Sequence, residues 1–480
     1  MTVTLKSRRD IDLNALRRVA WEGEPVAIDP AAVSRMAAER RRFLALIEDP
    51  AITVYGVTSG YGQHAKKRLS ADERIAHAGK PPTAAAASWG DPLPGRVVRG
   101  IILARLANFI DGHAAISPDI ALAVATMLDG RPLPVVPVRG QGGAGEILSL
   151  SHLFGDLAEQ NAVGEKNVLS LINGSPAASA LVGDAALAAD SRLQLAVEVF
   201  ALAAEGFNVP LSHFNEELEG LWNDPHDAWA LRQLRAAIGT GHGGDRRPFQ
   251  APVSFRILPR MIGQARRAGV AAAEVAEQSL AAVTDNPVML AADEAHALGR
   301  MISTGGYHNP HAVTAMDAVT AAYVNLITIA GRVSAKLLDG AISLLPDQLG
   351  LGGTASYLGC LPMAITGYEE EARSLSGATL LPGSESGGFG QNDVASPVFL
   401  AWSKQEKAGS LLEAALASLA PIAHRALAIT DRPIPPALSA LAQEIAQVIG
   451  FPTAGRRPGP VIARLEDRFR SRVYGKGRTQ

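Results

Sequence analysis

The sequence predicts a mainly α fold. Hydrophobic residues make up 47% of the chain, charged residues 19% and aromatic residues 5%, so the core is built from Ala, Leu, Val and Ile rather than from rings. Several long Ala- and Leu-rich stretches have helical spacing and lack the alternation of strands. Alternating β-branched runs are short and confined to places such as 51–57 and 133–138, where strands are expected.

The predicted helices follow one another along the chain. The first covers 32–48, where apolar residues recur at helical spacing among Arg and Glu. The stretches 99–128 and 174–204 are each predicted as one long helix, because Ala and Leu dominate them. Similar patterns predict helices at 262–283, 312–340, 361–377, 396–428 and 437–449.

Four glycine-rich segments separate predicted helices: 139–145, 239–247, 349–354 and 383–390. Each contains too much glycine for an ordinary helix, so each is either a functional loop or a plain connection. For 349–354 we favour the plain connection. No internal repeat is evident in the sequence.

Composition excludes several classes of function. A formal net charge of −2 with scattered basic residues provides no surface for nucleic acid. Cys360 stands alone, so an intrachain disulfide and a Cys-based zinc site are excluded, and no His/Asp/Glu cluster indicates a metal. The chain has no apolar signal core and no uninterrupted apolar run of 18 residues, so we expect a cytoplasmic protein outside membranes. The basic tail 468–478 is interpreted as a solvated, frayed end.

Five motifs occur in an order that resembles the histidine and phenylalanine ammonia-lyases. The motifs are the tyrosine loop YGVTSGYG at 55–62, the asparagine segment LINGS at 171–175, the arginine segment QAPVSFR at 250–256, the helix-end motif VTDNP at 283–287 and the late motif GQND at 390–393. The resemblance covers roughly residues 10 to 430.

This resemblance implies a specific architecture. It predicts a bundle of parallel long helices beneath a loop-rich N-terminal part, assembled as a homotetramer whose active sites combine residues of several subunits. We therefore divide the chain into a loop-rich helical part, 1–190, which carries the Tyr55 loop and the Gly143 to Gly145 segment, and a C-terminal bundle, 191–480.

The segment Gly143-Ala144-Gly145 departs from the resembling family, which carries Ala-Ser-Gly there. Those lyases form an electrophilic methylidene-imidazolone ring from that triad, and the alkene carbon of the ring comes from the serine side chain. Ala144 has no hydroxyl to lose, so we expect the chain to lack this prosthetic group and to use no other cofactor.

Three further positions and one short segment depart from the family pattern. Asn392 stands where the late motif has a glutamate, and Val253 replaces a second active-site tyrosine. Ala85 replaces a histidine, and the segment after Gly145 begins with Glu146 instead of aspartate. Together these changes indicate a divergent natural branch, and the small side chains at 85 and 253 enlarge the predicted pocket.

Tyr55 is the predicted general acid or base. A phenol with an ordinary pKa of about 10 acts as a base at neutral pH only when donors or helix ends lower that value. The alternative is a loop tyrosine that packs its ring. We favour catalysis because the surrounding loop matches the family almost throughout, and we assign Gly60 of the same loop to the catalytic set.

Arg256 and Asn173 are predicted to hold the substrate, and Asn392 completes the catalytic set. An arginine binds a carboxylate in a bidentate pair that lysine cannot make, although a surface salt bridge is the alternative for Arg256. Asn173 either offers its amide to the substrate or caps the helix that begins near Ser175.

The remaining candidates are predicted to line the substrate pocket. Trp89 can lie over an aromatic ring or a cation. The predicted substrate-binding residues are Ala85, Trp89, Gln250, Val253, Tyr307, His308 and Gln391.

Three functions are compatible with these residues. The leading hypothesis is a lyase that eliminates an amine, possibly a trimethylammonium group, from an amino-acid-like carboxylate or betaine without the ring, as the ring-free ergothionases of the wider family do. The second is a pseudoenzyme that binds a small carboxylate. The third is another reaction on the same scaffold, such as addition to an activated alkene or ring closure.

Overall fold

The computed structural model describes residues 1–60, 66–78, 80, 82–161, 164–239, 245–247, 250–350, 358–384, 390–449 and 457–475. Helices dominate these residues, which confirms the mainly α prediction. Parts of the glycine-rich segments 239–247, 349–354 and 383–390 lie outside the described residues, as do Tyr61 and Gly62 of the tyrosine loop.

The N-terminal part consists of short helices and a small parallel sheet. Its strands are β1 Val3–Leu5 and β2 Val26–Ile28, which pair Val3 with Val26. Its helices are α1 Leu13–Leu16, α2 Pro30–Ile47, α3 Ala71–Ala78, α4 Gly95–Ile110, α5 Pro118–Thr126, α6 Ile147–Gln160 and α7 Asn167–Ile172.

The long helices follow. They are α8 Pro176–Phe207, α9 Glu217–Trp222, α10 Pro225–Ile238, α11 Val253–Arg256, α12 Leu258–Leu280, α13 Pro310–Leu338, α14 Gly340–Ser343, α15 Leu361–Ser374, α16 Val398–Thr430, α17 Ser439–Ile449 and α18 Pro458–Tyr474. Between α12 and α13 lies an antiparallel hairpin, β3 Val288–Leu290 and β4 Arg300–Ile302, which pairs Val288 with Ile302.

Helices α8, α12, α13 and α16 form the centre of the bundle and pack on one another. Helix α8 is buried over almost its whole length, which explains its alanine-rich sequence. The predicted division at residue 190 falls within this helix and stays a proposal. Two helices, Pro310–Leu338 and Val398–Thr430, are long and apolar enough to cross a membrane, but 67% and 78% of their apolar windows are buried in the bundle, as is typical of core helices in soluble proteins.

The prediction of a single helix over 99–128 is wrong. The chain forms α4 and α5 with a break between them, because Gly112 adopts a left-handed backbone (φ +87°) and Pro118 starts the next helix. Glycine is required at 112, since a Cβ there would lie 2.5 Å from the Glu39 side chain.

The two predicted strands are also absent. In 51–57 the carbonyl of Val54 accepts N–H groups from Val57, Thr58 and Ser59, which makes this segment a turn. The segment 133–138 forms only an isolated bridge, between Pro137 and Pro92, because prolines have no N–H to extend a ladder.

The interpretation of the tail as frayed is wrong for residues 468–475. Helix α18 continues to Tyr474 and packs on α16 and α8, and Tyr474 is only 5% exposed. Its arginines are held by acids far away in sequence: Arg470 pairs with Glu413, and Arg472 with Glu198. Residues 476–480 lie outside the described part of the chain.

A buried polar network ties α18 to the bundle centre. Arg192 of α8 donates to Glu413 at 2.7 Å, to Glu406 at 3.3 Å and to the Tyr474 hydroxyl at 2.7 Å. The Tyr474 hydroxyl in turn donates to Glu406 at 2.6 Å. The buried arginine thus has two carboxylates, and breaking one such buried pair is strongly destabilising.

Candidate active site

A cavity of about 490 Å³ lies where the N-terminal loops meet the start of α8. Its described lining residues are Tyr55, Lys80, Pro82, Ala84, Ala85, Ala144, Ile147, Val168, Leu169, Ile172, Asn173, Asn286, Ser303, Tyr307, Gln391 and Asn392. One part of this set is apolar and another carries hydroxyls and amides. Such a mixture is typical of a small-molecule site.

Many of the predicted site residues meet in this cavity although they are far apart in sequence. Ala144, the middle residue of the Gly143-Ala144-Gly145 segment, lines the cavity together with six other predicted site residues. These are Tyr55, Ala85, Asn173, Tyr307, Gln391 and Asn392.

The loop that carries Tyr55 is fixed by its own hydrogen bonds. The Thr58 hydroxyl accepts the Val54 N–H at 2.7 Å, and Gly56 takes a left-handed backbone (φ +69°) that suits glycine. Gly60 does not line the cavity. Its N–H donates to the Lys67 carbonyl at 3.1 Å, so it anchors the base of the loop.

Asn173 lines the cavity directly after the end of α7. Its side-chain amide donates to the Asn286 carbonyl at 2.5 Å. It does not cap α8, since that helix begins after Ser175 and its first N–H groups bind another side chain. The capping alternative for Asn173 is therefore wrong.

Arg105 lies behind Asn173 with no exposed surface and donates to the Asn173 carbonyl. Burial lowers the pKa of Arg105 to about 10, although Asp285 and Glu146 oppose the shift. Gly174 adopts φ +100° beside it, and a Cβ there would lie 3.2 Å from the Arg105 guanidinium. The Cβ would also lie 2.9 Å from the Thr284 hydroxyl oxygen, so this backbone conformation and its neighbours favour glycine at 174.

The motif at 283–287 supports the same wall. The Asn108 side chain accepts the N–H groups of Thr284 and Asp285 at 2.6 and 3.0 Å. Lys166 donates to Asp285 at 2.6 Å, and both side chains are fully buried. Burial lowers the pKa of Lys166, and Asp285 opposes that shift. These contacts fix the segment that carries Asn286.

The segment from Gly143 to Gly145 is held on both sides. The Gly143 carbonyl accepts the Ser396 N–H at 3.2 Å. Gly145 has φ +64°, and a Cβ there would lie 3.3 Å from the Tyr307 ring, which packs on it. Ala144 contributes only a methyl side chain to the cavity lining, so the hydroxyl whose loss as water creates the alkene of the family ring is missing. The residues present therefore do not fit the methylidene-imidazolone group.

Glu146 links this segment to the bundle. Its two oxygens accept the N–H groups of Ala177 and Ala178 at 2.5 and 2.6 Å, so the carboxyl group binds the N-terminus of α8. Burial raises the pKa of Glu146 to about 8, against the two N–H donors and Arg105.

Five predicted residues lie outside the cavity lining, in addition to Gly60 and the flanking glycines of the triad. Trp89 is 81% exposed and Val253 is 56% exposed. Gln250 is also exposed, and Arg256 is half-buried on α11. His308 is half-buried next to Tyr307, and burial lowers its pKa. A single chain thus does not bring the predicted carboxylate-binding arginine to the cavity.

Lys80 and Ser303 line the cavity without having been predicted from the sequence. Neither belongs to a recognisable motif, so no sequence signal was available for them. Asn286 was part of a recognised motif but had been assigned no role in the site. Among the described residues, no group of three His, Cys, Asp or Glu side chains is placed to hold a metal ion.

A long-helix bundle with a loop-built cavity at its helix ends defines an enzyme of the ammonia-lyase architecture. The sequence profile described as Aromatic amino acid lyase matches residues 11–163 and 158–449. The chain therefore belongs to the aromatic amino acid lyase family, whose members are carbon–nitrogen lyases.

Individual relatives agree with this assignment. A histidine ammonia-lyase of Sorangium cellulosum is 28% identical over 365 residues, which cover 70% of this chain and 71% of that protein. One from Deinococcus radiodurans is 27% identical over 370 residues, 71% of this chain and 70% of that protein.

Solved structures share the fold. Ergothionase from Treponema denticola, an ergothioneine degrading enzyme in complex with desmethyl-ergothioneine sulfonic acid, has a TM-score of 0.88 at 19% identity and covers 99% of this chain and 100% of its own. Tyrosine aminomutase from Streptomyces globisporus has a TM-score of 0.87 at 22% identity, with 99% and 98% covered.

Proposed function

We propose that the chain eliminates an amine from an amino-acid-like substrate without the ring of its family. The observation that carries the proposal is the composition of the cavity. It retains Tyr55 and Asn173, which match family motifs, while position 144 offers a methyl group with no oxygen to lose. The family activates the leaving amine with a ring electrophile. Without that ring, this chain is proposed to act on a substrate whose amine leaves readily.

In the proposed reaction Tyr55 acts as the general base and removes a proton from the β-carbon. The electron pair of that C–H bond forms the α,β double bond, and the electron pair of the C–N bond leaves with the amine. The products are a conjugated unsaturated acid and a free amine, and Tyr55 returns its proton to solvent. The amides of Asn173 and Asn392 bind and orient the substrate.

The proposed leaving group is trimethylamine. A trimethylammonium group is permanently cationic and leaves as a neutral amine at any pH, whereas a free amine must first be held protonated. The shared fold with ergothionase, an ergothioneine degrading enzyme, supports this choice. The rings of Tyr55 and Tyr307 line the cavity and can face such a cation.

The proposal includes a homotetramer with shared active sites and a cytoplasmic location. Arg256 is still proposed to bind the substrate carboxylate. The arginine that reaches the cavity is Arg256 of the partner subunit. Its position on α11, outside the lining of the chain's own cavity, is what such sharing requires. Mixing two inactive variants, Tyr55→Phe and Arg256→Met, tests the sharing, because mixed assemblies regain activity only if the two residues come from different chains.

A turnover screen tests the chemistry. The purified protein is incubated with natural α-amino acids and with their trimethylammonio betaines, while ultraviolet absorbance reports the conjugated acid and mass spectrometry the released amine. We expect trimethylamine from a betaine, and Tyr55→Phe should abolish turnover but leave binding intact. Release of ammonia instead would show that the interpretation of Ala144 is wrong.

The second candidate is a pseudoenzyme that binds a small carboxylate. Asn392 favours it, because an amide in the cavity lining replaces the glutamate of the family motif. Absence of turnover on every compound, together with binding that Tyr55→Phe leaves unchanged, would support this candidate over the lyase.

A further inference from the structure

Lys80 gives the described part of the cavity lining an unbalanced positive charge. It is the one charged side chain among the described residues of the lining, which otherwise offer amides, hydroxyls and apolar groups. Its backbone N–H donates to the His77 carbonyl at 3.3 Å, so the segment after α3 places it at the cavity.

Four other lysines among the described residues have acidic partners. Ion pairs of 2.6 to 3.0 Å join Lys67 to Glu73, Lys166 to Asp285, Lys404 to Asp317 and Lys407 to Glu371. Within the described part of the chain, Lys80 makes no such pair. A cation at the lining of a cavity, with no carboxylate neighbour among the described residues, attracts an anion into that cavity even where solvent partly screens its charge.

The charges of the proposed substrate indicate which anion this is. The inference rests on the proposed function, in which the cavity binds an amino-acid-like substrate and Arg256 of the partner subunit binds the α-carboxylate. A substrate with a neutral side chain leaves Lys80 without a partner, while its cationic amine is repelled by the ammonium group. A second acidic group on the substrate would pair with Lys80 and would offset the repulsion between Lys80 and the cationic amine.

We propose that Lys80 is a specificity-determining residue that binds an acidic group on the substrate side chain. The preferred substrate then carries two carboxylates, or a carboxylate and another oxyanion, separated by a short apolar spacer. Ile147, Val168, Leu169 and Ile172 of the lining provide the apolar surface for that spacer.

Binding of two nearly isosteric probes tests this inference without any need for turnover. Succinate and succinamate differ only in that a carboxylate of the first is an amide in the second. Isothermal titration calorimetry on the whole protein should give a preference for succinate of roughly tenfold or more, as expected for a hydrogen bond to a charged group. The preference should fall as salt is raised, because the ammonium group of Lys80 is open to solvent.

Variants assign the preference to one side chain. Lys80→Met should bind the two probes equally, and Lys80→Arg should keep the preference. Lys67→Met removes the same charge from an exposed side chain outside the lining and should leave the preference unchanged. Equal binding of the probes by the native protein, or an unchanged preference in Lys80→Met, would overturn the inference.

Turnover separates failure of this inference from failure of the proposed function. If no betaine or amino acid reacts but succinate is still preferred through Lys80, the lyase proposal fails and the inference stands. If substrates with neutral side chains react as well as acidic ones, and Lys80→Met does not change their ratio, the inference fails alone.

Discussion

Gly409 on α16 lies against the guanidinium of Arg192. A Cβ built at this glycine would lie 2.2 Å from the Arg192 Cζ atom, far inside any normal contact. The Arg192 side chain is 1% exposed and Glu413 is fully buried, so moving the guanidinium separates a buried ion pair. The substitution Gly409→Ala should therefore displace Arg192 from its carboxylates.

The magnitude follows from two opposing terms. Alanine in a helix interior is favoured over glycine by about 1 kcal/mol. Separating a buried ion pair costs about 3–5 kcal/mol, because it leaves an uncompensated buried charge. Gly409→Ala should thus lower the free energy of unfolding by about 2–4 kcal/mol.

Gly367→Ala is the matched control. It also lies inside a helix, α15, but a Cβ there meets nothing within 4 Å. This variant should be about 1 kcal/mol more stable than the native chain. Urea unfolding followed by far-ultraviolet circular dichroism, at one protein concentration, compares the three proteins. If Gly409→Ala is as stable as Gly367→Ala, the role assigned to the Arg192 contacts is refuted.

Three further predictions concern the site and the tail. Ala144→Ser should not restore deamination of histidine or tyrosine, because Ala85 and Asn392 still depart from the family pattern; release of ammonia in the absorbance assay would contradict this. Glu146 has a pKa raised by burial to about 8, so its contribution to stability is fully present below the unfolded pKa of about 4.5 and is lost as pH rises through 8. The whole loss, between pH 4.5 and 8, is about 5 kcal/mol. Urea unfolding at pH 5.5 and 9 should show about 3 kcal/mol of it in the native chain but not in Glu146→Gln. Tyr474→Phe removes a buried hydroxyl with two charged partners and should cost about 1–3 kcal/mol in the same unfolding assay, whereas no change would indicate that the network closes without it.

The long central helices could be predicted because helices that are buried on all sides have an Ala- and Leu-rich composition. Helix α8 is buried on all sides, so alanine and leucine fill nearly every position. Helix α18 was missed for the opposite reason. Its arginines suggested solvent, yet Arg470 and Arg472 pair with Glu413 and Glu198, and sequence spacing gives no indication of such distant partners.

Recognition of the site depended on motifs and failed where no motif existed. Tyr55 and Asn173 were placed in the cavity lining as their motifs predicted. Lys80 follows a short helix in a segment without periodicity, so only folding reveals that it lines the cavity. Arg256 was recognised by its motif, but a motif does not specify which chain supplies the residue.

The network around Arg192 also joins distant parts of the chain. Tyr474 lies 282 positions after Arg192, and its hydroxyl accepts from Arg192 and donates to Glu406. Arg192 and Glu406 are therefore synthesised well before the hydroxyl that joins them. This part of the core can close only after α18 has been made and has packed on α8 and α16.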